Sequence, residues 1–213
     1  MPRQAALGRL PRFPTGRPFL ASIGRVTDDE LVDQARRGDT TAFGTLVDRH
    51  GCAVQRAAMA VLRSRQEAED VAQEAFVTAY RKLDTFRGES AFRTWLLRIA
   101  WREAQDRRRS LGRRLRRFVA AADADDASHA PLVGRPAQEE ALAAAELRAQ
   151  VRRLLPGLPA KLRDALLLAA TGEHTYDEMA SILDVPTGTL KWRVSEARRL
   201  LKERLAPLGY RDV

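Results

Sequence analysis

The sequence predicts an all-α protein of two small helical domains joined by a flexible linker, with a helix-turn-helix in the second domain. Three observations support this prediction. Ala, Leu and Arg dominate the composition and aromatic residues make up only 6% of it, which favours helices over strands. Apolar residues recur at helical spacing in residues 27–109 and again from residue 139, whereas residues 111–138 carry few large apolar side chains. The 45% apolar content of 213 residues suffices for one large core or two small ones.

The charge balance limits the class of partner. The chain has 37 Lys and Arg against 28 Asp and Glu, a formal net charge of +9, which attracts polyanions such as nucleic acid or an anionic membrane surface. Cys52 is the only cysteine, so no internal disulfide can form and a reducing compartment is favoured. No apolar run approaches the roughly 18 residues of a spanning helix. We therefore expect a soluble, cytoplasmic protein with no direct membrane insertion.

The N-terminal residues 1–26 are predicted to form a flexible basic tail. They contain five arginines, four prolines and no acidic residue. They lack the apolar stretch of a secretory signal, and the prolines oppose the amphipathic helix of a transit peptide. A nonspecific DNA contact and an inert extension both remain open for this tail.

The first domain, residues 27–110, is predicted to be a compact bundle of four helices. Thr27 and Glu30 fit a capping box at the start of the first helix. The second helix is predicted over residues 41–62, the third over 66–83 and the fourth over 90–109. Short connections between consecutive helices are typical of a bundle.

Two faces of this bundle carry informative side chains. The third helix buries an alanine-rich stripe and presents acidic and polar residues on its opposite side. On the fourth helix, Trp101 is predicted to face outward among arginines, opposite Phe92 and Leu96. Aromatic rings interleaved with arginine suit single-stranded nucleic acid, because unpaired bases stack on rings while the backbone is neutralised. The alternative is that Trp101 covers a neighbouring element or another protein.

The second domain, residues 139–207, follows a predicted linker at residues 111–138, which is rich in charge, proline and glycine. Two helices, residues 139–155 and 160–171, precede the most informative segment of the chain.

That segment, residues 175–205, is predicted to be a helix-turn-helix with a basic second helix. Thr175 and Glu178 fit another capping box, Pro186 ends the turn, and Thr187 is expected to cap the second helix. An apolar stripe from Leu190 to Leu205 leaves a polar and basic opposite face, which suits the major groove of duplex DNA. A solvated face on an ordinary pair of antiparallel helices is the alternative.

Two stretches resemble a known family. Residues 68–109, AEDVAQEAFVTAYRKLDTFRGESAFRTWLLRIAWREAQDRRR, resemble the second conserved domain of bacterial sigma factors of the extracytoplasmic-function (ECF) group, in the sigma-70 family. Residues 155–205, LPGLPAKLRDALLLAATGEHTYDEMASILDVPTGTLKWRVSEARRLLKERL, resemble their fourth domain. The two motifs occur in the family's order and at its separation.

The resemblance implies a sigma factor that binds core RNA polymerase, recognises promoter DNA at −10 and −35 elements, opens the promoter, and is held inactive by an anti-sigma factor. It implies that the fourth domain meets the polymerase β-flap, and that the β′ clamp helices are bound by Asp70, Gln73 and Glu74. The residues that it places at the −10 element are Phe86, Arg87, Arg98, Trp101, Arg102, Gln105, Arg108 and Arg109. Those that it places at the −35 element are Thr187, Thr189, Lys191, Trp192, Arg193, Ser195, Arg198 and Arg199.

The sequence departs from the family at three positions. Arg102 occupies a position where asparagine is usual, Trp192 one where a small polar residue is common, and Glu173-His174-Thr175 replaces a frequent Gly-Leu-Ser. The family's base preferences at −10 and −35 are therefore not carried over to this chain.

Catalysis, cofactors and small-molecule substrates find no support in the sequence. His50 and Cys52 are two apart in a helical pattern without further nearby ligands, so we expect no metal site. Two alternative functions remain. A stand-alone helix-turn-helix regulator would need neither the linker nor the acidic third helix, and a mimic that sequesters an anti-sigma factor would not need two intact basic faces.

Overall fold

A computed structural model describes residues 26–119 and 140–210 of the chain. Within those ranges all regular structure is helical, which confirms the all-α prediction. The chain divides into two compact units, Met1–Arg108 and Arg109–Val213. Most of the predicted tail and linker, residues 1–25 and 120–138, lies outside the described residues. The helices are α1 (Asp28–Arg36), α2 (Thr40–Leu62), α3 (Arg65–Arg81), α4 (Phe92–Val119), α5 (Glu140–Leu154), α6 (Ala160–Ala169), α7 (Tyr176–Leu183) and α8 (Thr187–Leu205).

Side-chain caps define where the first helices begin. The Thr27 hydroxyl accepts from the backbone N–H of Glu30 at 3.3 Å, and the Glu30 carboxylate accepts from the backbone N–H of Thr27 at 2.8 Å. This confirms the predicted capping box of α1. Asp39 caps α2 by accepting from the backbone N–H of Thr41 at 2.8 Å. α2 then continues without a break through Gly51.

The core of the first unit depends on small side chains in α3. Alanines at i+3 and i+4 spacing let the α3 backbone approach α2 closely, and larger rings fill the ends of the interface. Phe43 packs edge-on against Phe76 and Tyr80, with ring centroids 6.5 and 4.8 Å apart. The buried residues of α3 are Ala68, Val71, Ala72, Ala75, Phe76 and Ala79.

α4 is longer than the sequence predicted. It was expected to end near Arg109, with the linker starting at residue 111, but the helix continues to Val119. Arg and Leu are strong helix formers, and the single Gly112 costs only about 1 kcal/mol in a helix interior. The first proline after α4 is Pro131. The run of arginines was therefore wrongly assigned to the linker.

The second unit packs α5, α6 and α7 around α8. Pro159 precedes α6 after a short 3-10 turn at Leu155–Gly157, in agreement with the predicted break between residues 155 and 160. The core around α8 includes Leu155, Leu158, Leu162 and Ala197, with the half-buried Val151, Leu166, Leu167 and Leu200 against it. None of the helices in the described ranges is both long and apolar enough to cross a bilayer.

Candidate nucleic-acid and polymerase interfaces

The acidic side of α3 lies on the surface of the first unit. Asp70, Gln73 and Glu74 are exposed, and their i, i+3 and i+4 spacing places them on one face, opposite the buried alanines. The three residues predicted to dock on polymerase are thus brought together.

Glu74 is also part of an ion-pair network that the sequence did not indicate. Arg107 of α4 donates to the Glu74 carboxylate at 2.5 Å and to that of Glu67 at 2.8 Å. Burial opposes the charge on Arg107, but its hydrogen bonds to Glu74 and Glu67, together with their negative charges, outweigh burial and raise the pKa of the guanidinium. The bond joins residues of two helices that are 33 positions apart in the chain, Glu74 and Arg107, so helical periodicity gives no sign of it. It ties the acidic face of α3 to α4.

The outer face of α4 gathers four of the eight predicted −10 residues. Arg98, Arg102, Gln105 and Arg109 follow one another at i, i+4, i+7 and i+11, which is one side of a helix. Arg102 and Arg109 are exposed, whereas Arg98, Gln105 and Arg108 are half-buried. The face is cationic and suits a phosphate backbone.

Trp101 does not belong to that face, and its predicted outward placement is wrong. Its side chain is only 1% exposed, and the indole Nε1 has no hydrogen-bond partner among the residues that the structure describes. Leu97, Ala100 and Ala104 lie beside it at i−4, i−1 and i+3, and all three are buried. The centre of the buried face therefore runs through these residues, and the alanines in it were overlooked in the prediction.

Phe86 in the loop before α4 is also buried. The centroid of its ring lies 5.3 Å from the ring centroid of Trp95 and 5.7 Å from that of Phe92. The guanidinium of Arg36 is 5.9 Å from the centre of the Phe86 ring and donates to the Phe86 carbonyl. Phe86 thus anchors the loop to the core, which corrects the expectation that its side chain faces DNA. Of the two predicted loop contacts, Arg87 is the exposed one.

A buried histidine fastens α1 to α2. His50 Nε2 lies 2.7 Å from Asp28 Oδ2, and Arg49 donates to the same carboxylate. The imidazole also packs against Phe92, with ring centres 5.7 Å apart. Burial lowers the pKa of His50 below its ordinary 6.5, although Asp28 raises it in part. No pattern in the sequence indicates this cluster.

The helix-turn-helix in α7 and α8 has the predicted order, with one difference at its turn. The Thr175 and Glu178 capping box is present, and Asp184 ends α7 in the left-handed conformation at φ 56°. Thr187 does not cap α8, because Pro186 occupies the cap position. Its hydroxyl instead donates to Asp177 of α7 at 2.8 Å. Thr187 therefore joins the two helices.

The outer face of α8 carries the predicted −35 residues. Trp192 is 61% exposed, and Lys191, Ser195, Arg198 and Arg199 are exposed as well. Thr189 and Arg193 are half-buried. The buried side of α8 consists of Leu190, Val194, Ala197 and Leu205.

Arg199 is engaged by two carboxylates of its own helix. It donates through Nε and Nη2 to Glu196, at 2.8 and 2.7 Å, and through Nη1 to Glu203. The hydrogen bond from Arg199 lowers the pKa of Glu196, so this carboxylate stays ionised. The same bond raises the pKa of Arg199.

Comparison with known proteins places both units in one family. Residues 46–114 match the family described as Sigma-70 region 2, and residues 148–201 match Sigma-70, region 4. RNA polymerase sigma-H factor of Pseudomonas aeruginosa is 38% identical over 184 residues, covering 85% of this chain and 95% of the relative. ECF RNA polymerase sigma-E factor of Escherichia coli K12 is 38% identical over 186 residues, covering 86% and 97%.

Solved structures agree. CnrH, in complex with the cytosolic domain of CnrY, has a TM-score of 0.59 at 27% identity, over 84% of this chain and 97% of that one. Sigma factor RpoE of Bartonella quintana, in complex with the anti-sigma factor NepR, has a TM-score of 0.54 at 26% identity, over 77% and 96%. Both family regions occur in order within this chain, and its relatives match it over almost their full length. The chain therefore belongs to the sigma-70 family and, within it, to the ECF group of RNA polymerase sigma factors.

Proposed function

We propose that this protein binds core RNA polymerase and directs it to promoters through contacts of α4 with the −10 element and of α8 with the −35 element. One observation carries the proposal: cationic helix faces occur in both compact units of a single chain, and the first unit adds an acidic face. A stand-alone helix-turn-helix regulator requires only the face of α8.

At the −10 element, we assign the exposed arginines of α4 to the phosphates of the strand that is displaced as the promoter opens. Arg102 and Arg109 are exposed on that face, and Arg87 is exposed in the preceding loop. Melting a promoter requires that displaced bases be captured and the strand neutralised. The buried Trp101 supports the helix from inside and takes no part in stacking on bases.

At the −35 element, we assign α8 to the major groove of duplex DNA. Lys191 and Arg198 flank the exposed face on one side and Arg193 on the other, so they fit the two phosphate backbones that border a groove. Trp192 and Ser195 lie between them and are assigned to base edges.

Polymerase docking is assigned to α3 and to the second unit. Asp70 and Gln73 form the exposed centre of the α3 surface. Glu74 belongs to the same surface and is also ion-paired with Arg107. The β′ clamp helices are the partner for this surface, and the β-flap is the partner for the second unit.

We extend the proposal to regulation by an anti-sigma factor. RpoE is similar to this chain and was solved in complex with the anti-sigma factor NepR, and CnrH was solved with the cytosolic domain of CnrY. A partner that covers the α3 face would prevent polymerase binding, and one that covers the α4 or α8 face would prevent promoter binding. Such a protein acts in the cytoplasm by binding alone, with no catalytic step, cofactor or small-molecule substrate assigned to it.

Transcription with purified components tests the central claim. Core polymerase is incubated with genomic fragments of the source bacterium, with and without the full-length protein, and the start sites are mapped. We expect new start sites that share two upstream elements. Specific duplex binding by the protein alone, with no start sites that depend on it, would instead identify a stand-alone regulator.

A matched pair of charge reversals tests the docking surface. Asp70→Arg should lower the affinity for core polymerase by roughly tenfold or more, because a rim charge of the wrong sign opposes association. Asp48→Arg changes another exposed acid of the first unit and should leave core affinity as it is. Asp70 is the better probe, since a change at Glu74 would also disturb Arg107. Equal affinity of both variants and wild type would contradict the assignment.

A further inference from the structure

The exposed face of α8 is acidic along its centre and basic along its edges. Counted at 100° per residue, Glu196, Arg199 and Glu203 each lie within about 40° of Trp192, on the side of α8 opposite Leu201. Trp192, Arg199 and Glu203 are exposed, and Glu196 is half-buried. The cations that flank this row lie about 80–120° from Trp192 around the helix axis, three on one side and one on the other. They are Lys191, Arg193, Arg198 and Lys202.

This arrangement has a consequence for base recognition. When a helix lies in a major groove, its central row faces base edges and its flanks face phosphates. A carboxylate on a flank would be repelled by phosphate, whereas one in the centre meets the hydrogen-bonding groups of the bases. Because Glu196 and Glu203 surround Arg199, the central row carries a net charge of −1 in a helix that is otherwise cationic.

Glu196 has the geometry of a held acceptor. Both of its oxygens are bound side-on by Arg199, through Nη2 at 2.7 Å and Nε at 2.8 Å. Its side chain is 25% exposed, so the carboxylate is fixed in direction but still open to the surface. Each carboxylate oxygen can accept more than one hydrogen bond, so acceptor capacity remains after Arg199 is bound.

The chemistry of the groove selects the base. A carboxylate accepts from an amino group and is repelled by other acceptors. Guanine presents two acceptors in the major groove, thymine one acceptor and a methyl group, and adenine an acceptor beside its amino group. Cytosine presents only its N4 amino group. An ionised Glu196 is therefore complementary to cytosine.

We propose that Glu196, oriented by Arg199, is a specificity-determining residue that selects cytosine at one position of the −35 element. The inference rests on the function proposed above and adds to it the base that one side chain recognises. Glu203 holds Arg199 from the other side and lies two turns nearer the C-terminus of α8, so its role is to support Arg199 rather than to contact a base.

A selection on randomised promoters tests this assignment. Full-length protein with core polymerase is given duplex promoters found by start-site mapping, with the −35 region randomised, and the retained sequences are read. The variants are Glu196→Gln, which keeps size but can both donate and accept, and Glu203→Gln as the matched control on the same arginine. Far-UV circular dichroism of each variant checks that the helix content is unchanged.

With wild type and with Glu203→Gln, we expect cytosine to be enriched at the same position. Glu196→Gln should lose that preference by about tenfold and shift it toward adenine, which glutamine recognises through N6 and N7, while the other positions keep their bases. An identical profile for Glu196→Gln and wild type would overturn the assignment and leave the proposed function standing. If wild-type holoenzyme enriched no −35 element at all, the proposed function would fail and this inference with it.

Discussion

Two tryptophans in two basic helices have opposite positions in this protein. Trp101 of α4 and Trp192 of α8 are both surrounded in sequence by arginine and lysine, yet one is 1% exposed and the other 61%. The difference lies in the residues one turn away. Trp101 has Leu97 and Ala104 at i−4 and i+3, whereas Trp192 has Gly188 and Ser195 at the same offsets.

The comparison shows which neighbours decide burial in a charged helix. Charged residues next to a side chain in sequence lie on other faces of the helix, so they do not indicate whether that side chain is buried. Residues three and four positions away share its face and do indicate it. Alanines at these positions count as apolar neighbours when burial is predicted. Ala100 and Ala104 complete the buried face of α4 and bring Trp101 into the core.

Replacing the two tryptophans should give the largest contrast. Trp101→Ala is expected to destabilise the first unit by about 3–5 kcal/mol, because it removes a large core side chain. Trp192→Ala should change stability by less than about 0.5 kcal/mol. Chemical denaturation followed by far-UV circular dichroism measures both. A stable Trp101→Ala variant would show that the ring is dispensable to the core.

The two arginines that are held by carboxylate pairs offer a second contrast. Arg107 joins α4 to α3, whereas Arg199 bonds to two carboxylates of its own helix, α8. Arg107→Ala should lower the free energy of unfolding by about 1 kcal/mol. The substitution removes a partly exposed ion-pair network between two helices and leaves Glu67 and Glu74 without their arginine partner. Arg199→Ala should lower the free energy of unfolding by less than Arg107→Ala does, because ion pairs on the surface of a single helix are weak. Equal losses in the two variants, measured by denaturation, would contradict this ranking.

Salt dependence separates phosphate contacts from base contacts on α8. In Lys191→Ala, the slope of log affinity for −35 duplex against log salt should flatten by about 1, because one phosphate contact is lost. Trp192→Ala should keep the slope and relax the sequence preference. Lys161→Ala, an exposed lysine of α6, serves as the control with no change in slope. The measurement uses holoenzyme binding at a series of salt concentrations.

The smallest effect is a pH dependence of the first unit. Since burial lowers the pKa of His50 below 6.5 in the folded state, the unfolded chain binds the proton more readily. The free energy of unfolding should therefore fall as pH drops below about 6.5 toward the folded pKa. His50→Gln, which can still donate to Asp28, should reduce this dependence. Amide exchange in α2 across this pH range reports it, with α8 amides as an internal reference.

Local signals predicted much of the fold. Both capping boxes, at Thr27 and Thr175, and the turn at Pro186 follow from short-range chemistry, and the structure contains them. α4 ends about ten residues beyond its predicted end, because the arginine run that resembles a charged linker is made of residues that favour helix. Where a helix starts and ends depends mainly on residues close by in the sequence.

Contacts between distant helices could not be predicted in the same way. The bond from Arg107 to Glu74, that from His50 to Asp28, and the burial of Phe86 depend on how helices pack. Periodicity assigns a residue to a face of its own helix, but it does not say which other element covers that face. The structure places many of the predicted site residues on exposed helix faces but buries the two aromatics, Phe86 and Trp101, and the roles of the site residues stay a prediction.

The hydroxyl of Thr187 has a thermodynamic consequence. It donates to Asp177 of α7. The Lys191 ammonium of α8 lies 5.8 Å from the centre of the Tyr176 ring of α7. Together these two contacts hold α8 against α7 in the free protein. A recognition helix fixed in this way enters a groove already ordered, so binding carries little additional loss of conformational entropy. The heat-capacity change of −35 binding would then reflect buried surface alone, without the contribution of coupled folding.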